Sequence, residues 1–227
     1  MEYLYETHMH TSESSNCAQN TAFEQVMVYK KRGYTGIIVT DHFIHGVWKK
    51  LPLPWKMKVN HFAAGYEAAK KAGHELGLDV FLGWEFAYYG SDFLTYGLDM
   101  QFLLDNPNID KLSIEEYSAI VRKSGGYIAQ AHPYRNRSYI KNKFPVSPHL
   151  LDGVETFNAL DSIATNTKAY KFAEEHNLPT QAGSDSHTAI LKIASGIKLK
   201  KKAETIFDII KAIKSHEVGF ILLEGIN

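Results

Sequence analysis

Gly36-Ile37-Ile38-Val39-Thr40, running directly into Asp41-His42, is the stretch that decides the fold. Five residues without a charge, four of them β-branched, suit a strand covered on both faces, as in a parallel sheet. The run ends abruptly in two residues able to bind a metal. The same design recurs along the chain. Tyr3 to Thr7 runs into His8-Met9-His10, Val80 to Trp84 ends at Glu85, Tyr127 to Ala131 ends at His132-Pro133, and Pro179 to Gly183 leads to Asp185-Ser186-His187.

Between these runs lie longer amphipathic stretches. The spacing predicts helices over Ala22–Lys31, His61–Leu76, Ile114–Lys123, Thr165–His176 and Ala203–Ser215. Asn60 is placed to cap the second. Ser113 with Glu116 reads as a capping box for the third, and Gly125-Gly126 as its stop. Further strands are expected over Phe93–Leu98, Gly153–Phe157 and Val218–Leu223, with the Pro-containing stretch Trp48–Lys58 as a loop. Such alternation implies an α/β fold with a largely parallel sheet of about seven strands, open or closed. No repeat or linker interrupts it, so residues 1–227 read as a single domain.

Composition narrows the function. Hydrophobic residues make up 44% and charged residues 22%, an ordinary globular balance, and the formal net charge is +0. Nucleic acid is therefore not favoured as a partner, because a nonspecific nucleic-acid surface carries a basic excess. The one cysteine, Cys17, can form neither an internal disulfide nor a thiolate zinc site. The chain opens with no basic segment leading into an apolar run, and no stretch is long and apolar enough to span a bilayer. These features fit a cytoplasmic protein with no membrane partner.

In parallel α/β folds the carboxyl ends of the strands converge on one face, where the active site sits. His8, His10, His42, Glu85, His132, Asp185 and His187, far apart in sequence, would then line one bowl. In extended chain, residues i and i+2 face the same way, so both members of His8-Met9-His10 and of Asp185-Ser186-His187 reach it. A lone histidine at a strand end is more often an ordinary hydrogen-bonded residue. Five strand units ending alike are not explained that way. Five histidines and two carboxylates exceed the needs of one tetrahedral ion, which implies two or three divalent ions, with zinc, manganese or iron as candidates.

The ordered set His8-Met9-His10-Thr11, Thr40-Asp41-His42, Gly83-Trp84-Glu85, Ala131-His132-Pro133 and Gly183-Ser184-Asp185-Ser186-His187 resembles the PHP family, named for polymerase and histidinol phosphatase. The resemblance implies a distorted (β/α)7 barrel with a di- or trinuclear metal centre at the strand carboxyl ends. It implies phosphoester hydrolysis, with those seven residues as ligands, Glu85 as the bridging carboxylate, and Asp41 orienting its neighbours. Two positions depart from the family pattern. Glu13 is the only strong ligand soon after His8-Met9-His10, and Asp92 stands where many relatives have a histidine. Both are candidate ligands for a third ion.

The substrate expected is a small phosphate ester, cleaved by water activated on the ions. Arg135 is the first candidate for a phosphate clamp, because a guanidinium grips phosphate in a fork. Arg137 and Lys49 are weaker candidates. His45 is a candidate donor to the leaving group, and Glu155 and Asn158 end a strand from which they could steady the ligands. The alternatives are a metal-dependent hydrolase of phosphodiesters, nucleotides or amides, and a noncatalytic metal-binding module.

Overall fold

Three strands that the sequence marks as buried lie side by side and parallel in the computed structural model, which describes residues 2–44, 46–138, 140 and 144–224. β1 (Tyr3–Met9) pairs with β2 (Gly36–Val39), and β2 with β3 (Asp79–Tyr88). All four residues of β2 are buried, as its unbroken apolar run requires.

β3 then turns back through Tyr89-Gly90 into β4 (Ser91–Tyr96), which runs antiparallel to β3 and to β5 (Tyr127–Gln130). This hairpin interrupts the largely parallel order expected. Gly90 at φ 84 supplies the left-handed turn that a tight hairpin needs. β6 (Gly153–Asn158) and β7 (Thr180–Gly183) resume the parallel order. β8 (Ile193–Leu199) and β9 (Gly219–Glu224) are antiparallel and attach on the other side of β1. The sheet order is β7-β6-β5-β4-β3-β2-β1-β8-β9.

The two flanks meet at the carboxyl end of β1. Met9 forms a parallel bridge with Ser186, His10 N–H donates to the Ser186 carbonyl at 2.9 Å, and Thr7 Oγ1 donates to Ala182 O at 2.8 Å. Seven strands thus curl into a nearly closed barrel, the architecture expected from the motifs.

The helices are α1 (Ala22–Lys31), α2 (Val47–Lys50), α3 (Trp55–Leu76), α4 (Met100–Asp105), α5 (Ile114–Lys123), α6 (Ile163–Glu175) and α7 (Ile206–Lys214). The capping box of α5 forms as read: Glu116 N donates to Ser113 Oγ at 3.2 Å, and Ser113 N to Glu116 Oε2 at 2.9 Å. α3 starts six residues before the expected His61. Pro54 occupies its cap position, where proline's fixed φ does no harm, so Asn60 lies inside the helix and caps nothing. Among the described residues no helix is long and apolar enough to cross a membrane.

Candidate metal centre

β1 delivers His8 and His10 to the mouth of the barrel, and the segment just past β2 delivers His42. Glu85 comes from β3, His132 from the end of β5, and Asp185 and His187 from beyond β7. His8, His10, Glu85 and Asp185 are buried, at 0–1% exposure, although none is apolar. Burying such a set without partners is costly. What offsets the cost is visible in how the atoms converge.

His8 Nε2 lies 3.2 Å from His10 Nε2, 3.3 Å from Glu85 Oε1 and 3.4 Å from Asp185 Oδ1. His10 Nε2 lies 3.2 Å from Asp185 Oδ1 and 3.6 Å from Glu85 Oε2. Four donors placed at zinc–ligand distances around a tetrahedral ion stand about 3.3–3.4 Å apart. The edges among His8, His10 and Asp185, at 3.2–3.4 Å, match that spacing, and these three gather as one candidate ligand set, so they fit a divalent ion. Glu85 turns its second oxygen elsewhere. Oε2 lies 2.7 Å from His42 Nδ1, while Oε1 is also 3.3 Å from His132 Nε2. One carboxylate therefore faces several imidazoles, the position a bridging ligand takes. Ligand atoms also gather in the sets His10, His42, His187 and Glu85, Asp92, His132, which allows more than one ion.

A layer of hydrogen bonds holds these side chains. Glu155 on β6 contacts His8 Nδ1 at 2.9 Å through Oε1, and its Oε2 accepts from His132 N at 3.1 Å and Asn158 Nδ2 at 2.9 Å. Glu155 is also within ligand reach of His8 and His132. We read it as the orienting partner, because it takes the far nitrogen of His8 and leaves Nε2 facing the cluster. Asp41 accepts from Thr11 N and Thr11 Oγ1, both at 2.7 Å, and from Ser15 Oγ at 2.6 Å. It ties the loop after β1 to the end of β2. α3 backs this knot at Gly65, whose N–H donates to Ser14 Oγ at 2.8 Å.

Charges in the cluster oppose the effect of burial. Burial would raise Asp185, but His8 and the Arg135 guanidinium hold it well below the usual carboxylate range. Glu85 is likewise held low against burial by His42 and His8. Burial would lower His8, yet the Asp185, Glu155 and Glu85 carboxylates hold it well above its ordinary value. His10 is lowered, by burial and by its neighbours His187 and His42. Asp92 is pushed up to about 6 by burial and by the Glu85 carboxylate. A bound cation would stand opposite the same Glu85 and Asp185 carboxylates that the imidazoles now face. The backbone is strained here too. His132 and Asp185 sit at φ 30 and 51, where non-glycine residues are uncommon, and such strain gathers at functional sites.

Of the candidates read from sequence, the structure brings together His8, His10, His42, Glu85, His132, Asp185, His187 and Asp92. Asp92 Oδ2 lies 3.9 Å from His132 Nε2. Glu13 is not brought in. Both its oxygens accept from Ala22 N at 3.0 Å, so it serves the start of α1. Arg135 borders the cleft, but its fork is already engaged. Nε donates to Asp161 at 2.9 Å, one terminal nitrogen to Asp185 at 2.6 Å and the other to Asn158 at 2.8 Å. Its fork positions Asp185. Lys49 donates to the Asp110 carbonyl, Arg137 is exposed, and His45 lies outside the described residues. The reading missed Cys17. Exposed at the rim of a cleft of about 730 Å³, it bonds His187 and His42, which bring its thiol down to about 6 although burial would raise it. Its closeness to His8 and His10 in sequence was the available signal.

A family model for a PHP-associated segment matches residues 164–191, which span most of α6, β7, Asp185 and His187. A search of curated proteins by sequence finds no match. Solved structures share the fold. A two-domain protein from Bacteroides vulgatus, containing a predicted PHP-like metal-dependent phosphoesterase, is 15% identical with a TM-score of 0.71 over 97% of this chain. This chain spans only 65% of that protein's length. An amidohydrolase from Chromobacterium violaceum, solved with sulfate and no metal, is 15% identical with a TM-score of 0.60, covering 97% of both chains. The lesion-specific endonuclease PfuEndoQ from Pyrococcus furiosus is 15% identical with a TM-score of 0.61, covering 98% of this chain and 58% of that one. The resemblance to the PHP proteins read from the motifs is thus met twice, by a family model over residues 164–191 and by a PHP-like fold over nearly the whole chain.

Proposed function

We propose that this chain is a metal-dependent phosphoesterase that hydrolyses a small phosphomonoester. Residues 1–227 would act as one catalytic domain in the cytoplasm. The observation that carries the reading is Glu85, whose two oxygens address His8 and His132 on one side and His42 and His10 on the other. A buried carboxylate placed in this way suits two ions sharing one ligand. His8, His10, His42, Glu85, His132, Asp185 and His187 would hold two or three ions, with Asp92 as a further ligand. The nitrogen and oxygen donor set suits zinc, manganese or iron.

Ions bound there would supply charge for the phosphoryl oxygens and make a water nucleophilic near neutral pH. The chain's own residues do the rest. Glu155 keeps His8 Nε2 and the His132 backbone aimed inward. Arg135 fixes Asp185 through its fork and adds positive charge behind it. Asp41, with Thr11 and Ser15, sets the loop that carries His10. Arg135 retains N–H groups beyond the three engaged, and its edge on the cleft lets it touch a bound phosphate without leaving Asp185.

The +0 net charge favours a small substrate over a polyanion. The amidohydrolase and endonuclease sharing the fold make amides and phosphodiesters the competing substrates. Phosphate release from a panel of phosphomonoesters, with Mn²⁺ or Zn²⁺ and with chelator, separates these. Metal-dependent turnover abolished by Asp185→Ala supports the reading. Metal-loaded protein that cleaves only diesters or amides overturns it.

A further inference from the structure

Closure of the barrel brings two ligand-bearing segments, His8-Met9-His10 and Asp185-Ser186-His187, edge to edge. One rung of a parallel ladder joins them: Ser186 N donates to His8 O at 3.3 Å, and His10 N to Ser186 O at 2.9 Å. Continued in register, the next rung would run from Ser184 N to the Glu6 carbonyl and from His8 N to the Ser184 carbonyl. The seam departs from that pattern. Both N–H groups donate to a single side-chain oxygen, Glu6 Oε1, which lies 2.9 Å from Ser184 N and 2.8 Å from His8 N. β1 shifts its register against β2 between Glu6 and Met9, where this side chain enters the seam. Glu6, His8 and Ser184 are all buried, so water is no alternative partner for the two amides. Neighbouring features hold the same seam. A Cβ at Gly183 would come within 2.5 Å of His8 Cβ, so glycine is what lets the chains approach. From α1, Gln25 Nε2 donates to His10 O at 3.1 Å and Tyr29 OH to Ser186 Oγ at 2.8 Å.

We propose that Glu6 is a positioning residue of the metal centre: its carboxylate oxygen replaces a backbone rung and so sets how far His8 and His10 stand from Asp185. The proposal rests on the metal-dependent reading of the cluster. The spacing at stake is the 3.2–3.4 Å between Asp185 Oδ1 and the Nε2 atoms of His10 and His8. Glu6 itself belongs to none of the candidate ligand sets among the described residues, and its bonded oxygen is taken up by the two amides. Without that acceptor two buried donors are left unpaired. The relief open to them is the regular rung, which changes the separation of the two chains and carries Asp185 away from its place beside His8.

The test titrates Co²⁺ into the chelator-stripped full chain and reads affinity and the visible absorption spectrum, which reports coordination geometry. Glu6→Met keeps the bulk and removes the acceptor. It should weaken Co²⁺ binding about 10–100-fold, the range for groups that orient ligands, and alter the spectrum. Glu6→Gln keeps a carbonyl oxygen and should restore both spectrum and affinity. Tyr117→Phe, destabilised at a site remote from the seam, should leave both unchanged. Amide hydrogen exchange on metal-free protein reads the rung itself: protection of His8 and Ser184 should fall about tenfold or more in Glu6→Met and hold in Glu6→Gln. A Glu6→Met protein with wild-type affinity and spectrum overturns the proposal, as does Glu6→Gln failing as badly as Glu6→Met, or Tyr117→Phe losing metal to the same degree. Wild type that binds no Co²⁺ while the exchange pattern holds removes the metal reading and leaves the Glu6 rung standing. Metal binding that is indifferent to Glu6 does the reverse.

Discussion

Gly65→Ala is a one-methyl substitution on a helix, and intrinsic propensity alone makes it stabilising by about 1 kcal/mol. The structure predicts the opposite sign. A Cβ at Gly65 would collide with Thr11 Oγ1 and Asp41 Oδ2 and would come within 2.9 Å of Ser14 Oγ. Thr11 Oγ1 and Asp41 Oδ2 are themselves bonded at 2.7 Å, and both residues are buried at 0–1% exposure. None of them is the loose end of a flexible chain. Overpacking of this kind costs about 1–3 kcal/mol. Parting the buried Thr11–Asp41 bond costs about 1.5–3 kcal/mol more. After the propensity gain of about 1 kcal/mol, the net loss is about 1.5–5 kcal/mol, or about 3–20 °C in melting temperature for a chain of this size. Metal affinity should fall as well, because Asp41 sets the loop that carries His10. The assay is denaturant unfolding with metal titration, using Ala64→Gly as the propensity control at an exposed neighbour on the same helix. A Gly65→Ala protein as stable as wild type, with unaltered metal affinity, refutes the packing argument.

Three further outcomes are expected. Glu155→Gln should weaken metal binding about 10–100-fold, because the group that orients His8 and His132 is altered while the ligands remain, and titration with a fluorescent chelator measures it. Tyr117→Phe should cost about 1–3 kcal/mol by denaturant unfolding, since the buried Trp84 Nε1 loses its only acceptor, now at 2.6 Å. Glu24 is held below its ordinary 4.5, first by the Thr21 backbone N–H and then by Asn20 and Thr21 side chains. With its folded value depressed, its contribution is complete above 4.5 and fades as pH falls through the lower folded value. The stability gap between wild type and Glu24→Gln, followed by unfolding at successive pH values, should therefore close on acidification.

Much of this molecule is legible in its sequence, for local reasons. α1 and α5 begin and end where the pattern puts them. In α5 the signals are side chains already adjacent in sequence, Ser113 with Glu116 at one end and Gly125 at the other. The candidate ligands are legible because strand ends in such folds share one face, so chain position alone sorts His8, His42, Glu85, His132 and Asp185 together. What stayed hidden depends on partners distant in sequence. Nothing local in Ile193–Leu199, with its Ser195, Gly196 and Lys198, marks β8 as a strand. Its place is set by pairing with β1 and β9. The antiparallel turn of β4 is hidden for the same reason. Pro52 and Pro54 suggested a loop, but a proline at a helix start breaks no bond, so α3 gained a turn and a half. Arg135 reads as a candidate phosphate clamp and Glu13 as a candidate ligand for a third ion, yet each is engaged by groups that only the tertiary fold brings near, Asp185 for one and the first amide of α1 for the other.

Metal content after equilibrium loading bears most directly on the account. Chelator-stripped wild type, His8→Ala and Glu85→Ala would each be equilibrated with Mn²⁺ or Zn²⁺, freed of excess ion, and analysed for metal per chain. The account predicts at least two ions per wild-type chain. It also predicts a larger deficit for Glu85→Ala than for His8→Ala, because the two Glu85 oxygens address both groups of imidazoles whereas His8 offers the cluster one nitrogen. A wild-type chain that binds one ion or none, or a Glu85→Ala chain that keeps its full complement, would contradict it.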